Sequence, residues 1–181
     1  MLWYYGTLKN NARGPIRLVP FILVFMVYFL VGFGLLFTAP VQSADTELSR
    51  WLVKASQQII QVCGGHVTRD GAILRAPGGF AIEMRDGCNA VNVTILLWSA
   101  MLAFPASFKM RAAGLAAGTA LIQAANIVRF ISLFYLGQYS RPWFDFAHAF
   151  LWESLLVLDT LVVFWIWVSR TQRIVADAHQ A

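Results

Sequence analysis

The sequence predicts an all-α polytopic membrane protein: a four-transmembrane-helix bundle with an extracytoplasmic amphipathic helix and a small β-hairpin or meander cap. Two observations carry this prediction. Of the 181 residues, 59% are hydrophobic and only 13% are charged, whereas about a quarter of the residues of a soluble domain are charged. Four apolar runs also approach the roughly 20 residues that a transmembrane helix needs. The length fits one membrane-embedded domain over residues 1–181.

The four apolar runs are residues 18–37, 90–108, 112–136 and 147–168. The second run is the shortest, and we extend it to residue 108 because Pro105 lies near its exit. The first run is either an uncleaved anchor or the core of a cleaved signal peptide, since basic residues precede it. A signal core spans about 7 to 15 residues, so the length of this run favours the anchor.

The basic residues predict the orientation of the chain in a membrane. The formal net charge is +5, but the basic residues lie beside the apolar runs and form no single patch, which argues against a nucleic-acid partner. A cytoplasmic N-terminus also places the Lys109 and Arg111 turn and the Arg170 and Arg173 tail in the cytoplasm. Both termini are therefore predicted to be cytoplasmic, and residues 38–87 extracytoplasmic.

The extracytoplasmic segment is predicted to begin with a helix at the membrane surface, where Asp45 or Thr46 would serve as its N-cap. Gly64 and Gly65 would end this helix. The prediction rests on apolar residues that recur at helical spacing opposite polar ones. These apolar residues are Leu48, Trp51, Leu52, Ala55, Ile59 and Val62.

A small sheet is predicted to follow the surface helix. Residues 67–69, an Asp70-Gly71 turn and residues 72–75 have the pattern of a tight hairpin. Residues 80–85 alternate between apolar and polar side chains, which predicts a third strand. This sheet either caps the helices, or presents residues 86–88 at the membrane surface, or does both.

Three polar residues lie in the third apolar run, where hydrocarbon would surround them. Gln123, Asn126 and Arg129 recur every three residues and so form one stripe along a helix. A guanidinium at the bilayer centre costs about 2.5 to 3.5 kcal/mol, so such residues face a bundle interior or water. Arg129 either pairs with Glu153 or Asp159 to hold the helices together, or belongs to a functional site.

Cys88 and His148 lie at the extracytoplasmic ends of the second and fourth runs. The predicted topology therefore brings a thiol, an imidazole and the Arg129 guanidinium to the same end of the bundle. A thiolate is the attacking species of a cysteine peptidase, and a neighbouring cation stabilises it. These three side chains supply a nucleophile, a proton-transfer group and a fixed cation.

A second function class fits the same residues. The chain could instead be a non-catalytic membrane assembly or transport subunit with a polar intramembrane stripe and a structural disulfide between Cys63 and Cys88. A disulfide is chemically allowed outside the cytoplasm. We expect no cofactor and no metal, because one Cys and one His at a site, without further clustered ligands, are few for zinc.

Three separated motifs resemble the exosortase and archaeosortase family of membrane-embedded sorting enzymes. The motifs are Gly87-Cys88-Asn89-Ala90, Asn126-Ile127-Val128-Arg129 and Phe146-Ala147-His148. The similarity covers roughly residues 80–168 and is greatest to the short exosortase H type. One position departs from the family pattern, because Ala90 stands where the family usually has glycine.

The resemblance implies a cysteine peptidase or transpeptidase in a bacterial inner membrane, with its active site at the extracytoplasmic face. Its partners would be the lipid bilayer, exported proteins with a C-terminal sorting signal of the IPTLxxWG type, and an unknown acceptor nucleophile. Cys88 would attack the scissile carbonyl, His148 would transfer protons and Arg129 would stabilise the oxyanion. Asn126 and Asn89 would support these groups or bind substrate, with Asn126 either orienting Arg129 or donating a second hydrogen bond.

Overall fold

The computed structural model describes residues 18–85 and 87–177, a mainly helical chain with one small sheet. The helices are α1 (Leu18–Leu35), α2 (Ala39–Val62), α3 (Val91–Ala103), α4 (Phe108–Tyr139), α5 (Arg141–Phe146) and α6 (Trp152–Asp177), with a π-helical segment (Ala147–Leu151) between α5 and α6. The strands are β1 (Thr68–Asp70), β2 (Ile73–Arg75) and β3 (Ala81–Glu83).

Three helical stretches are long and apolar enough to cross a membrane: Leu18–Leu35, Phe108–Tyr139 and Arg141–Ile174. They confirm that the chain is a polytopic membrane protein. The first ends two residues earlier than the predicted run, and the other two extend past the predicted runs at both ends. Helices lengthen in this way because polar residues near the membrane surface continue a helix that hydropathy alone would end.

The second predicted span, residues 90–108, is wrong in its boundaries. Helix α3 has only 13 residues, or about 20 Å at 1.5 Å per residue, against a hydrocarbon core about 30 Å thick. It ends because Phe104 adopts an extended backbone, as expected of a residue that precedes a proline. Four membrane-crossing helices therefore remain a prediction.

Helix α2 begins earlier than predicted, and one side of it packs within the protein. Thr38 is its N-cap and Pro40 lies in its first turn, so neither Asp45 nor Thr46 caps it. Proline is tolerated there because the first helical N–H groups have no intrahelical acceptor. Of the predicted apolar face, Trp51 is 61% exposed. The buried residues are Ser49, Leu52, Val53, Ser56 and Ile60.

The three strands form an antiparallel meander in the order β1-β2-β3, as the alternation of residues predicted. Asp70 pairs with Ile73 across the first turn. The turn residues are therefore Gly71 and Ala72, one position later than predicted. Leu74 pairs with Ile82 in the neighbouring strand and is fully buried, so the sheet packs one face against the helices.

Two clusters of buried side chains hold these elements together. The first joins α2, the sheet and the C-terminal half of α4, and includes Leu52, Val53, Leu74, Phe130 and Phe134. The second joins α3, α4 and α6, and includes Leu97, Met101, Ile122, Leu156 and Val163. Cys88 packs against the first cluster and Ala90 belongs to the second. The turn that carries the cysteine therefore lies at the junction of the two clusters.

Candidate active site

The structure places the thiol of Cys88 beside the imidazole of His148, with 3.6 Å between Sγ and Nε2. The two residues are 60 positions apart in the sequence, so their contact depends on the packing of separate elements. Cys88 is half-buried and free, and Cys63 is exposed and free. The disulfide of the alternative interpretation is therefore not formed, and the thiol faces a group that can take up its proton.

The cysteine turn, residues 87–90, needs two left-handed backbone positions. Gly87 has φ +85° and Ala90 has φ +62°. Glycine adopts this conformation freely, whereas an L-residue with a Cβ is strained there by about 1–2 kcal/mol. The departure from the family pattern at Ala90 thus falls where glycine would relieve strain. Strain of this kind is retained at functional sites when the surrounding packing imposes it.

Hydrogen bonds from Asn89 connect the cysteine turn to α2. Its side chain is fully buried, and Nδ2 donates to Asp45 Oδ1 at 2.6 Å and to Ser49 Oγ at 3.1 Å. The Asn89 Oδ1 accepts the backbone N–H of Val91, the first residue of α3, at 3.3 Å. The role of Asp45 and Ser49 was missed by sequence analysis. The sequence did contain an indication of this role, because Asp45 and Ser49 are polar residues four positions apart and therefore share one face of a helix.

His148 lies in the π-helical segment Ala147–Leu151, and not at the start of a helix as predicted. The helix begins at Arg141, so His148 is about two turns inside it. Its ring stacks on Phe144, with 5.8 Å between ring centroids and 3° between ring planes. Single π-helical turns within α-helices occur frequently at functional sites.

Phe144, on which the His148 ring stacks, packs closely against Phe80 and Gly137. Phe80 meets it edge to face with ring centroids 6.4 Å apart, and Phe80 also packs on Phe134 at 6.1 Å. Both Phe80 and Phe144 approach Gly137 of α4 so closely that a Cβ at that position would overlap them. We therefore expect the orientation of the His148 ring to depend on the position of Phe144. The position of Phe144 depends in turn on its packing against Phe80 and on the close approach of both rings to Gly137.

Arg129 is almost fully buried in α4 and forms an ion pair with Glu153 of α6. The distance between Nη2 and Oε1 is 3.0 Å, and the side chains are 3% and 56% exposed respectively. The sequence-based pairing is thus formed with Glu153 and not with Asp159. Arg129 also lines the cavity beside Cys88, so a residue that joins two helices borders the same space as the thiol.

A cavity of about 50 Å³ lies among these side chains. The structure brings four of the five sequence-predicted site residues to it, namely Cys88, Asn126, Arg129 and His148. The fifth, Asn89, supports the turn that carries Cys88. The remaining lining residues are Ile82, Glu83, Met84, Phe130, Leu133 and Phe144.

The arrangement is suited to acyl transfer. A thiol can attack a carbonyl, the imidazole beside it can accept and return the proton, and the guanidinium presents positive charge to the same small space. Among residues 18–85 and 87–177, no group of three or more His, Cys, Asp or Glu side chains is placed to hold a metal ion.

The fold is that of a polytopic membrane protein, and its cavity holds a free thiol beside an imidazole. A family model described as transmembrane exosortase (Exosortase_EpsH) matches residues 2–169. The chain therefore belongs to the transmembrane exosortase family, whose members act on C-terminal sorting signals as membrane transpeptidases or proteases. Neither the curated proteins nor the solved structures contain a match to it.

Proposed function

We propose that the protein is a membrane-embedded cysteine transpeptidase or peptidase that cleaves the C-terminal sorting signal of exported proteins through a thioester at Cys88. The observation that carries this proposal is the 3.6 Å approach of Cys88 Sγ to His148 Nε2, beside the buried Arg129. Family membership supports the substrate class. The motifs resemble the exosortase H type, and the proposed signal is accordingly of the IPTLxxWG type.

The reaction begins when the Cys88 thiol gives its proton to Nε2 of His148. The thiolate attacks the scissile carbonyl carbon, and the carbonyl oxygen becomes an oxyanion. When the C–N bond breaks, His148 returns the proton to the leaving amine, and the acyl group stays on Cys88 as a thioester. An acceptor nucleophile or water then gives a proton to His148 and bonds to the thioester carbonyl carbon, the C–S bond breaks, and His148 passes the proton to the departing Cys88 sulfur, which leaves the acyl product and the free thiol.

Arg129 stabilises the oxyanion in this mechanism. Its charge is fixed, because arginine stays protonated, and a site with little water strengthens its interaction with a developing negative charge. The bond to Glu153 engages only Nη2. A guanidinium carries five N–H donors in a rigid plane, so the ion pair orients the group and leaves further donors for the substrate.

The proposed topology places both termini in the cytoplasm and the site at the extracytoplasmic face of the bacterial inner membrane. The basic residues Lys109 and Arg111 at the start of α4 and those near the end of α6 support this orientation. Exported proteins would then meet the site after translocation, while their own membrane segments still hold them in the bilayer.

Co-expression with a protein that ends in an IPTLxxWG-type sorting signal tests the proposal. Mass spectrometry should show a shortened substrate with the wild type and an uncut substrate with Cys88→Ala. Cys63→Ala is the matched control and should retain processing, because its thiol is exposed at the end of α2. The product mass separates a free carboxylate from an acceptor adduct. Processing by Cys88→Ala at the wild-type rate would show that the nucleophile assignment is wrong.

A further inference from the structure

The side chain of Asn126 is fully buried but makes no hydrogen bond within the described part of the chain. Its exposed fraction is 0%, and both Nδ2 and Oδ1 lack a partner among residues 18–85 and 87–177. Burial of unpaired polar atoms is unfavourable, and native structures pair nearly all of them. An amide with two unpaired atoms beside a nucleophile therefore requires an explanation.

Orientation of Arg129 does not explain this amide. Asn126 lies one turn before Arg129 in α4, but the Arg129 Nη2 donates to Glu153 and neither amide atom of Asn126 is engaged. The expectation that Asn126 orients Arg129 is thus not met. What Asn126 shares with Arg129, Cys88 and His148 is the cavity that all four line.

We infer that Asn126 is a substrate-binding residue whose carboxamide binds one peptide unit of the sorting signal beside the scissile bond. Nδ2 donates to the carbonyl oxygen of that unit, and Oδ1 accepts its N–H. This inference rests on the proposed function and assigns to the site a contact with the main chain of the substrate.

The chemistry of both partners supports a peptide unit over an ion. A carboxamide offers donors at one atom and an acceptor at the other, and a peptide bond offers the complementary pair. An anion would engage only Nδ2 and a cation only Oδ1, which leaves one buried atom unpaired. The cavity of about 50 Å³ has room for a main-chain group.

This contact would hold the substrate carbonyl at the thiol and would not depend on which side chain the neighbouring substrate residue carries. Binding energy from a peptide unit next to the reacting bond fixes the orientation of the carbonyl, and such positioning accelerates attack. Since the Asn126 atoms become paired only when substrate is present, their burial lowers the stability of the free protein and favours the bound state.

Replacement of Asn126 by leucine and by alanine tests the inference, with two measurements on each full-length variant. Processing of the co-expressed IPTLxxWG-type protein should slow by about tenfold to a hundredfold, the effect of losing two neutral hydrogen bonds. The thermal unfolding midpoint in detergent should stay level or rise, because unpaired buried atoms are removed. Alanine accompanies leucine in case the larger side chain overpacks the cavity.

Gln123→Leu is the matched control. Gln123 lies one turn deeper on the same stripe, and its Oε1 is likewise buried without a partner, but it does not line the described cavity. Its replacement should leave processing at the wild-type rate. A second readout uses Cys88→Ala, which should retain uncut substrate during purification, and adding Asn126→Leu should abolish that retention.

The outcomes separate this inference from the proposed function. If the wild type cuts the substrate and both Asn126 variants cut it equally fast, the inference is wrong and the proposed function stands. If both variants lose processing and their unfolding midpoints fall, Asn126 has a structural role and the inference is also wrong. If the wild type leaves the substrate uncut, the proposed function fails, and the inference fails with it.

Discussion

Substitution of Gly137 by alanine tests whether the packing behind Phe144 positions His148. A Cβ at residue 137 would stand 2.9 Å from Phe80 Cε2 and 3.1 Å from Phe144 Cδ2, and closer still to Phe80 Cζ. Carbon atoms in contact lie about 3.5–4.0 Å apart, so both rings must move by at least several tenths of an ångström. Overpacking of this kind costs about 1–3 kcal/mol.

The matched control is Gly34→Ala. Both glycines lie within three residues of the C-terminal end of a helix, and a Cβ at Gly34 would meet nothing within 4 Å. Alanine is favoured over glycine in a helix by about 1 kcal/mol, and both variants gain this term. The difference between the two variants therefore isolates the packing cost at Gly137, about 1–3 kcal/mol.

Thermal unfolding in detergent and processing of the sorting-signal protein are measured for both variants. The unfolding midpoint of Gly137→Ala should lie below that of Gly34→Ala. Its processing should also be slower, because displacement of Phe144 moves the ring on which His148 stacks. Equal midpoints for the two variants would show that Phe80 does not pack on Gly137, and unimpaired processing would show that His148 does not depend on Phe144.

Two further substitutions examine the cysteine turn. Asp45→Ala removes one of the two side-chain acceptors of Asn89 and should destabilise the turn by about 1–3 kcal/mol, seen as faster alkylation of Cys88 by iodoacetamide. Asp45→Asn keeps an acceptor oxygen and should react at the wild-type rate, so equal rates for both variants would contradict the proposed support. Ala90→Val places a β-branched residue at positive φ and should lower the free energy of unfolding by about 1–3 kcal/mol, whereas Ala90→Gly should stay within about 1 kcal/mol of the wild type because relief of strain offsets a lost methyl contact. An unchanged unfolding midpoint for Ala90→Val would rule out the left-handed backbone.

Local spacing was enough to predict the polar stripe of α4. Residues three apart share a helix face whatever the rest of the fold does, so Asn126 and Arg129 could be placed together from the sequence. The charge of Arg129 also demanded an acidic partner, and the number of acidic residues in the neighbouring run limited the choice to Glu153 or Asp159. Only the packing of α4 against α6 decided between these two.

The attachment of the cysteine turn to α2 could not be predicted in the same way. Sequence analysis predicted a surface helix with Trp51 on its apolar face but did not predict which side packs against the protein, and the structure exposes Trp51 and buries Ser49. In a membrane protein lipid accepts apolar side chains as readily as a protein core does, so hydrophobicity does not separate the two faces of a helix. The rotation of α2 about its axis, and with it the contact of Asp45 with Asn89, is set by tertiary packing.

The ion pair of Arg129 and the proposed role of Arg129 in catalysis use different properties of one guanidinium. A buried charge without a counter-charge is strongly destabilising, so an arginine that is 3% exposed needs Glu153 even before any substrate binds. A fully buried carboxylate would neutralise that cation within the site, but Glu153 is 56% exposed. Ionised side chains in membrane proteins face the bundle interior or water, which favours a position for Glu153 at a level that water reaches. A carboxylate at such a level would be screened more than the buried guanidinium, so the pair would hold Arg129 in place and leave positive charge beside the cavity that it lines with Cys88.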